Sequence, residues 1–409
     1  MRRPRLLFVS PRFLFPMDEG GKIRTGNILK GLKSSGAFEV TLASPAPPEA
    51  STRTTEIASA CDRFVSWSAA APSRIRRVAS VAGRLPVAVA SDSSAAGRRS
   101  VASALQESPE VVVVDFPHAD VLMPRRLESA SLLFTHNVEA EIFERHAERA
   151  RGPWKWLWAD QARKMRRFEQ AVLGRYDAIV AVSGPDQRAL RDRYALSAVE
   201  KIDTGVDLEF FQMSAPARVE VDPQCGELVF TAAMNWSANV DGIHFLLDEV
   251  WPRLQAVRPR IRAVIVGRNP PAGLAAKIRE RGLNVTLTGY VPDVRPYVSH
   301  ADVYVIPLFV GSGTRIKAFE AMAMGRPIVS TSLGVEGLDL RHGETFLRAD
   351  DGEAFANAIL TLLDCGALRM RLAASARRMV EKNFSWRSVA QQFETICMDA
   401  IDARRASIH

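Results

Sequence analysis

The chain has 409 residues, 47% hydrophobic and 24% charged, a globular balance that excludes a disordered or fibrous chain. A chain of this length predicts two domains of roughly 150–200 residues each. The formal net charge is +8; residues 1–208 hold 31 Lys and Arg against 24 Asp and Glu, and the remainder 23 against 22, so the first half is expected to meet anionic partners: phosphates, nucleic acid or an anionic membrane surface.

The chain opens MRRPRLLFVSPRF, whose apolar run is too short for a signal peptide and lacks a small-residue cleavage site; a buried first strand is expected. No stretch approaches 18 uncharged apolar residues, so no transmembrane helix is expected. Cys61, Cys225, Cys365 and Cys397 lie far apart, which supports neither a zinc site nor a disulfide scaffold and makes the cytoplasm the default compartment.

Short apolar runs alternate with helical periodicity, the pattern of βαβ units and parallel sheets. In the first half the expected strands are Arg5–Ser10, Glu39–Ala43, Val111–Asp115, Ser131–Thr135 and Ala178–Val182. In the second they are Glu227–Thr231, Arg262–Val266, Val285–Thr288, Val303–Pro307 and Pro327–Ser330. The prediction is an α/β protein of two doubly wound Rossmann-like domains, with ligands at the carboxyl ends of the strands and in the cleft between domains. The boundary is expected within residues 209–226, which lack periodicity and carry two prolines, giving domains 1–208 and 209–385. The last segment, 386–409, is helical in period over Trp386–Arg405 with no accompanying strand, and could pack back across the first domain.

Val305 to Gly325 reads VIPLFVGSGTRIKAFEAMAMG. A strand ends, the turn Gly311-Ser312-Gly313-Thr314 follows, and a helix is expected to open near Arg315 with Ile316, Phe319 and Ala323 facing inward. Free N–H groups and the positive dipole end at such a start suit a phosphate. Arg315 and Lys317 are unfavourable there for an isolated helix, which makes sense if an anion sits among them. Glu320, one turn on, could accept hydrogen bonds from a ribose diol. The alternative is a packed βα turn with two solvated cations. A dinucleotide fingerprint fails, because position 316 is Ile where a third Gly belongs and the segment comes late in its domain.

At Glu320-Ala-Met-Ala-Met-Gly325-Arg-Pro327-Ile-Val the chain resembles the nucleotide-sugar site of the GT-B glycosyltransferases, family 4, a retaining group. Collinear likenesses run along most of the chain: Pro11–Pro16, Gly20-Gly21-Lys-Ile-Arg24 as a first glycine-bearing loop, Thr135-His136-Asn137, Val182-Ser183, Thr204-Gly205-Val206-Asp207, Thr288-Gly289-Tyr290-Val291 beside the base, and Gly334-Val-Glu-Gly337. The resemblance implies a first, acceptor-binding domain and a second, donor-binding one. It departs in two places. The first Glu of the family's E-x7-E pattern is Ser312 here, and the family's Arg and Lys after the first donor-domain strand are absent from Ala233–Asp241, so Arg315 and Lys317 are expected to neutralise the diphosphate instead. The pattern M-x-W-x-x-N-V-D with G-x-G-T-R-x-K resembles a bacterial branch associated with exopolysaccharide gene clusters.

These likenesses imply a retaining transfer from a nucleotide-diphosphate sugar to a glycan or lipid-linked acceptor. Fixed cations and helix dipoles would stabilise the leaving diphosphate with neither cofactor nor metal. Gly20 and Gly21 would admit the phosphates closely. No D-x-D pattern stands where a metal is useful, and Asp350-Asp351 reads as a surface turn. By resemblance His136 contacts the donor sugar near the reacting carbon as a positioning group. Asp115 and Glu139 are acceptor-side candidates, although a strand-terminal Asp often caps the next helix, and the alternative for Glu139 is a cap on the helix that follows. Arg268 points toward the nucleotide or is a surface Arg before a Pro-Pro turn. Asn235 and Trp236 line the site, or Trp236 belongs to the core. Tyr290 and Val291 would lie by the base.

Arg145–Arg167 holds eight Lys and Arg, two acidic residues, and Trp154, Trp156 and Trp158. That mixture suits contact with an anionic membrane surface; no nucleic-acid motif accompanies it. The bland alternative is an amphipathic helix with a solvated basic face and its Trp packed inside. Two rival functions share the fold: a nucleotide-sugar 2-epimerase, which would want further carboxylates, and a GT-B module that binds without turnover.

Overall fold

The computed structural model describes residues 2–17, 20–68, 80–213, 218, 220–234, 236–309 and 316–407. The chain divides into two compact units, one formed by Met1–Thr204 with Trp386–His409 and the other by Gly205–Ser385.

The first unit is built on seven strands: β1 (Arg5–Val9), β2 (Glu39–Ala46), β3 (Arg63–Ser68), β4 (Val111–Asp115), β5 (Ala130–Phe134), β6 (Ala178–Ala181) and β7 (Val199–Lys201). They form one sheet in the order β3-β2-β1-β4-β5-β6-β7, with every neighbouring pair parallel. The run of four valines in β4 is buried on both faces, as a central parallel strand covered by helices on each side demands. The strand order reverses between β1 and β4, registered Leu6 to Val111 and Val9 to Val114, and such a switch point opens a crevice at the carboxyl ends.

The final helix, Trp386–Ala406, buries Val389, Ala390, Phe393, Cys397, Ala400 and Ile401, an i, i+4, i+8 stripe. Phe393 meets Phe134 edge-on at 5.3 Å and lies 6.4 Å from Phe8. Against the helix Gly20–Ser35 the approach is so close that a Cβ on Gly31 would sit 2.2 Å from that of Ala390. The last segment thus packs on the first unit, as the sequence suggested.

The second unit carries six strands, β8 (Glu227–Thr231), β9 (Arg262–Val266), β10 (Val285–Leu287), β11 (Val303–Ile306), β12 (Ile328–Ser330) and β13 (Leu347–Arg348), in the order β10-β9-β8-β11-β12-β13. All of its pairs are parallel. The strand order reverses between β8 and β11, whose starts are tied together by the Glu227 N–H donating to Asp302 at 2.9 Å. Both doubly wound sheets read from the sequence are therefore present. Three strands went unforeseen, β3, β7 and β13, and each is a sheet edge. Another correction concerns Gly20 and Gly21, which open the helix Gly20–Ser35 instead of lying in a loop.

Candidate active site

In the first unit the carboxyl ends of β1, β4 and β5 converge on Asp115. Ser10, just past β1, donates its hydroxyl to Asp115 Oδ2 at 2.9 Å, and Thr25 Oγ1 lies 3.2 Å from Oδ1. His136, two residues past β5, places Nε2 2.7 Å from Asp115 Oδ1 and Nδ1 2.9 Å from Nη1 of Arg24. Arg24 also donates to Thr204 Oγ1 at 2.8 and 3.2 Å. A guanidinium only donates, so Nδ1 must accept; the proton therefore sits on Nε2 and is donated to Asp115. Burial pushes the imidazole below its usual range, with Arg24 and Arg12 adding to the effect and Asp115 opposing it. Burial likewise lowers the Arg24 guanidinium to about 10. His136 is a neutral, oriented plate with both nitrogens engaged inside the protein. Asp115, expected on the acceptor side, has no exposed surface and serves to hold His136.

Phe116 fixes the plate from its face. Its ring stacks on His136 at 4.0 Å and 19°, and the Arg12 guanidinium lies over it at 5.1 Å. The backbone of Phe116 has φ +64°, a left-handed value that bulky side chains seldom adopt and that clusters at functional sites. Gly21 is close by, where an added Cβ would come 3.0 Å from the Phe116 ring and 3.8 Å from His136 Nδ1.

Glu139 begins the helix Glu139–Arg149, but the cap comes from elsewhere. Glu169, on the helix Pro153–Leu173, accepts the N–H groups of Glu139 and Ala140 at 2.9 and 3.1 Å and the Tyr194 hydroxyl at 2.6 Å. Burial raises its carboxyl to about 7. Sequence reading missed Glu169. Its spacing from the buried Met165 and Val172 puts a carboxylate on the apolar face of that helix, and this is the signal that could have found it.

In the second unit the helix Ile316–Ala323 follows β11. Lys317, in its first turn, donates to Asn239 Oδ1 at 3.1 Å and sits 4.7 Å from the centre of the Phe230 ring. Asn239 is buried and gives its Nδ2 to the Ala233 carbonyl at 2.8 Å, so the segment after β8 is tied to the cation. Asn239 stood in the M-x-W-x-x-N-V-D pattern without being singled out. Glu320 keeps some contact with solvent, yet the protein packed around it raises its carboxyl to about 7, with Lys317 opposing. Tyr304 of β11 hydrogen-bonds Thr231 of β8, and burial together with Glu320 pushes its hydroxyl up.

Arg268 is exposed just past β9, and its carbonyl accepts the Met234 N–H at 3.1 Å. Gly267 must be glycine, because a Cβ would lie 1.7 Å from the Ala232 carbonyl oxygen. Gly267 bridges to Gly289, bringing Tyr290, 76% exposed, and the half-buried Val291 to the same edge as Arg268. Trp236 is also exposed, which removes it from the core. Asn235, Gly311, Ser312, Gly313, Thr314 and Arg315 lie outside the described residues. Asp350 and Asp351 form the turn read from the sequence: Asp350 accepts from Ser332 at 2.6 Å, and Asp351 caps the helix Gly352–Asp364.

The basic segment 145–167 falls on the two helices Glu139–Arg149 and Pro153–Leu173. Trp154 and Trp156 are 65% and 80% exposed; only Trp158 packs, stacking on His146 at 4.6 Å. The reading in which all three Trp pack inside is therefore corrected for two of them, because the first turn of their helix stands clear of the unit.

Residues 19–210 match the family described as Glycosyltransferase Family 4, and residues 226–365 the one described as Glycosyl transferases group 1. Over 251 residues the chain is 28% identical to the phosphatidyl-myo-inositol mannosyltransferase of Mycobacterium leprae, an alignment covering 59% of this chain and 64% of that protein. The chain thus spans just under two thirds of that relative's length. In three dimensions it resembles a sucrose-phosphate synthase from Thermosynechococcus elongatus, with a TM-score of 0.72 and 19% identity over 98% of this chain and 100% of the other. It also resembles Anabaena HepE in complex with UDP, with a TM-score of 0.66 and 13% identity over 97% and 100%. At these identities the structural likenesses speak to the fold alone.

Proposed function

Because the chain belongs to the glycosyltransferases of the two-domain GT-B fold, akin to group 1 and family 4, we propose that it transfers a sugar from a nucleotide-diphosphate sugar to a glycan or lipid-linked acceptor, with retention and without a metal. The observation that carries this reading is Lys317, fixed by Asn239 in the first turn of the helix after β11, with Glu320 one turn on. A cation held at a helix start meets the charge that builds on the β-phosphate as the leaving group departs. Arg315 supplies the second cation in this scheme, and Glu320 accepts from the ribose. The UDP bound to HepE supports a nucleotide diphosphate as the ligand.

In this scheme His136 positions the donor sugar. Its neutral, doubly bonded imidazole suits an orienting role better than that of a base. The mannosyltransferase of M. leprae is named for phosphatidyl-myo-inositol, which supports a lipid-linked acceptor here. The exposed Trp154 and Trp156 support docking on an anionic membrane surface, and the likeness to an exopolysaccharide-associated branch supports a role in cell-surface polysaccharide synthesis.

A thermal-shift panel of UDP, GDP, ADP and TDP in EDTA tests the donor site. A diphosphate at a hundred times its Kd should add roughly 2.7 kcal/mol, and Arg315→Ala with Lys317→Ala should abolish the shift. A shift that needs magnesium would end the metal-free mechanism. Unchanged affinity in the double variant would remove these cations from the site.

A further inference from the structure

His118 belongs to the turn Pro117–Leu122 that leaves β4, two residues beyond Phe116. It is 4% exposed, and its Nε2 has no hydrogen-bond partner among the described residues. Nδ1 lies 3.7 Å from Asp92 Oδ2, and Nε2 3.8 Å from Glu139 Oε2. Both distances are too long for a direct hydrogen bond, but either leaves room for one oxygen atom bonded to both groups at once. Buried polar atoms are almost always satisfied, so an orphaned imidazole nitrogen facing a carboxylate calls for a missing partner.

The surroundings select the chemistry of that partner. Two carboxylates repel an anion. A metal ion is unsuited, because Asp92 and Glu139 face different nitrogens of one ring and the donors do not converge on a point; among the described residues no group of three such side chains could hold one. A hydroxyl fits, since it accepts from an imidazole N–H while donating to a carboxylate. Asp92 is the most open of the three, its side chain 20% exposed against 10% for Glu139, so it is the one best placed to take a second hydroxyl. The frame is fixed on each side. Glu169 pins the first turn that delivers Glu139, and Gln161 accepts the Val87 N–H at 2.8 Å, anchoring the short helix Val87–Asp92. Phe116 separates this cluster from His136, its ring 6.3 Å from that of His118 and 4.0 Å from that of His136.

We propose that His118, Glu139 and Asp92 form the acceptor subsite, in which a polyol or sugar places one hydroxyl between His118 Nε2 and Glu139 Oε2 and a second on Asp92. The assignment rests on the glycosyl-transfer reading. The cluster stands one aromatic ring away from His136, so a bound polyol would lie beside the group that positions the donor sugar.

The test uses the full chain carrying ring-15N histidine, with the His118 resonances identified by their loss in His118→Gln. myo-Inositol, methyl α-mannopyranoside and inorganic phosphate are titrated separately, and nucleotide diphosphates are followed in parallel by thermal shift. At least one of the two polyols should move the His118 Nε2 signal saturably, and Glu139→Gln should weaken that binding about tenfold while leaving the nucleotide shift intact. The subsite is overturned if neither polyol moves the signal, if phosphate alone moves it, or if Glu139→Gln binds as wild type does. Should His118→Gln fail to fold, His118→Asn supplies the assignment, and the wild-type and Glu139→Gln titrations then decide. Absence of any nucleotide shift in the wild type counts against glycosyl transfer itself and is read separately from the histidine signal.

Discussion

The neutral state of His136 follows from its partners. With Nδ1 accepting from Arg24 and Nε2 donating to Asp115, a second proton would have to displace the guanidinium from a buried site. Its folded pKa is lowered, so in the window below the ordinary value of 6.5 the unfolded chain binds a proton that the native one refuses, and this group's contribution to stability falls as pH drops through it. Arg24→Met removes one of the cations that hold the value down. In that variant the His136 ring should titrate at higher pH than in wild type, as read by ring-15N NMR. The orphaned Nδ1 and Thr204 hydroxyl should together lower stability by about 1–3 kcal/mol. An unchanged or lower His136 titration would show that Arg24 does not set its state.

At the scale of elements, Glu169 is the tie between two helices. A carboxylate from one covers the open N–H groups of the other, a cap that the second helix does not supply itself. Its carboxyl is raised from 4.5 to about 7, so between those values the native state binds a proton that the unfolded chain lacks. Stability is therefore lost as pH rises through that window, by on the order of 3 kcal/mol once the group is ionised. Glu169→Gln cannot titrate. Its unfolding free energy relative to wild type should increase from pH 5 to pH 8 in denaturant titrations, and a difference independent of pH would mean that Glu169 is not raised in the native state.

Tertiary ties of this kind also mark where sequence reading stopped. Central strands such as β4 and β11 were legible because both faces are buried and the run is unbroken. The edge strands β3 and β7 bury few residues, and β13 has only two, so no apolar run announces them. The helix of Lys317 and Glu320 was legible because its inward-facing residues recur at helical spacing. Arg24 lies 112 residues from His136 and Asn239 lies 78 from Lys317, and nothing near either residue in the chain announces its partner.

For the whole molecule, the proposed membrane contact turns on how the charge is distributed. Of the net +8, +7 falls in residues 1–208 (31 against 24), which attracts that part to an anionic surface. Much of the positive charge on segment 145–167, which carries the Trp residues, is already paired. Arg145 meets Glu141, Arg163 and Lys164 share Asp160, and Arg166 meets Glu144. Among the described residues that leaves the exposed Arg151, Lys155 and Arg167, of which Arg151 and Lys155 stand beside Trp154 and Trp156 in the chain and form the contact able to enter an interface. Two aromatic rings with a few basic residues amount to weak, reversible anchoring. Vesicles with about a third anionic lipid should bind the wild type, and raising salt to about 0.5 M should release much of it, since screening then acts within a few ångströms. Trp154→Ala with Trp156→Ala should reduce the partition coefficient about tenfold, equivalent to roughly 1.4 kcal/mol, while leaving the nucleotide-induced thermal shift unchanged. Equal partition of wild type and variant in vesicle sedimentation would remove this helix end from the membrane, and the case for an acceptor presented at a lipid surface would lose its structural support.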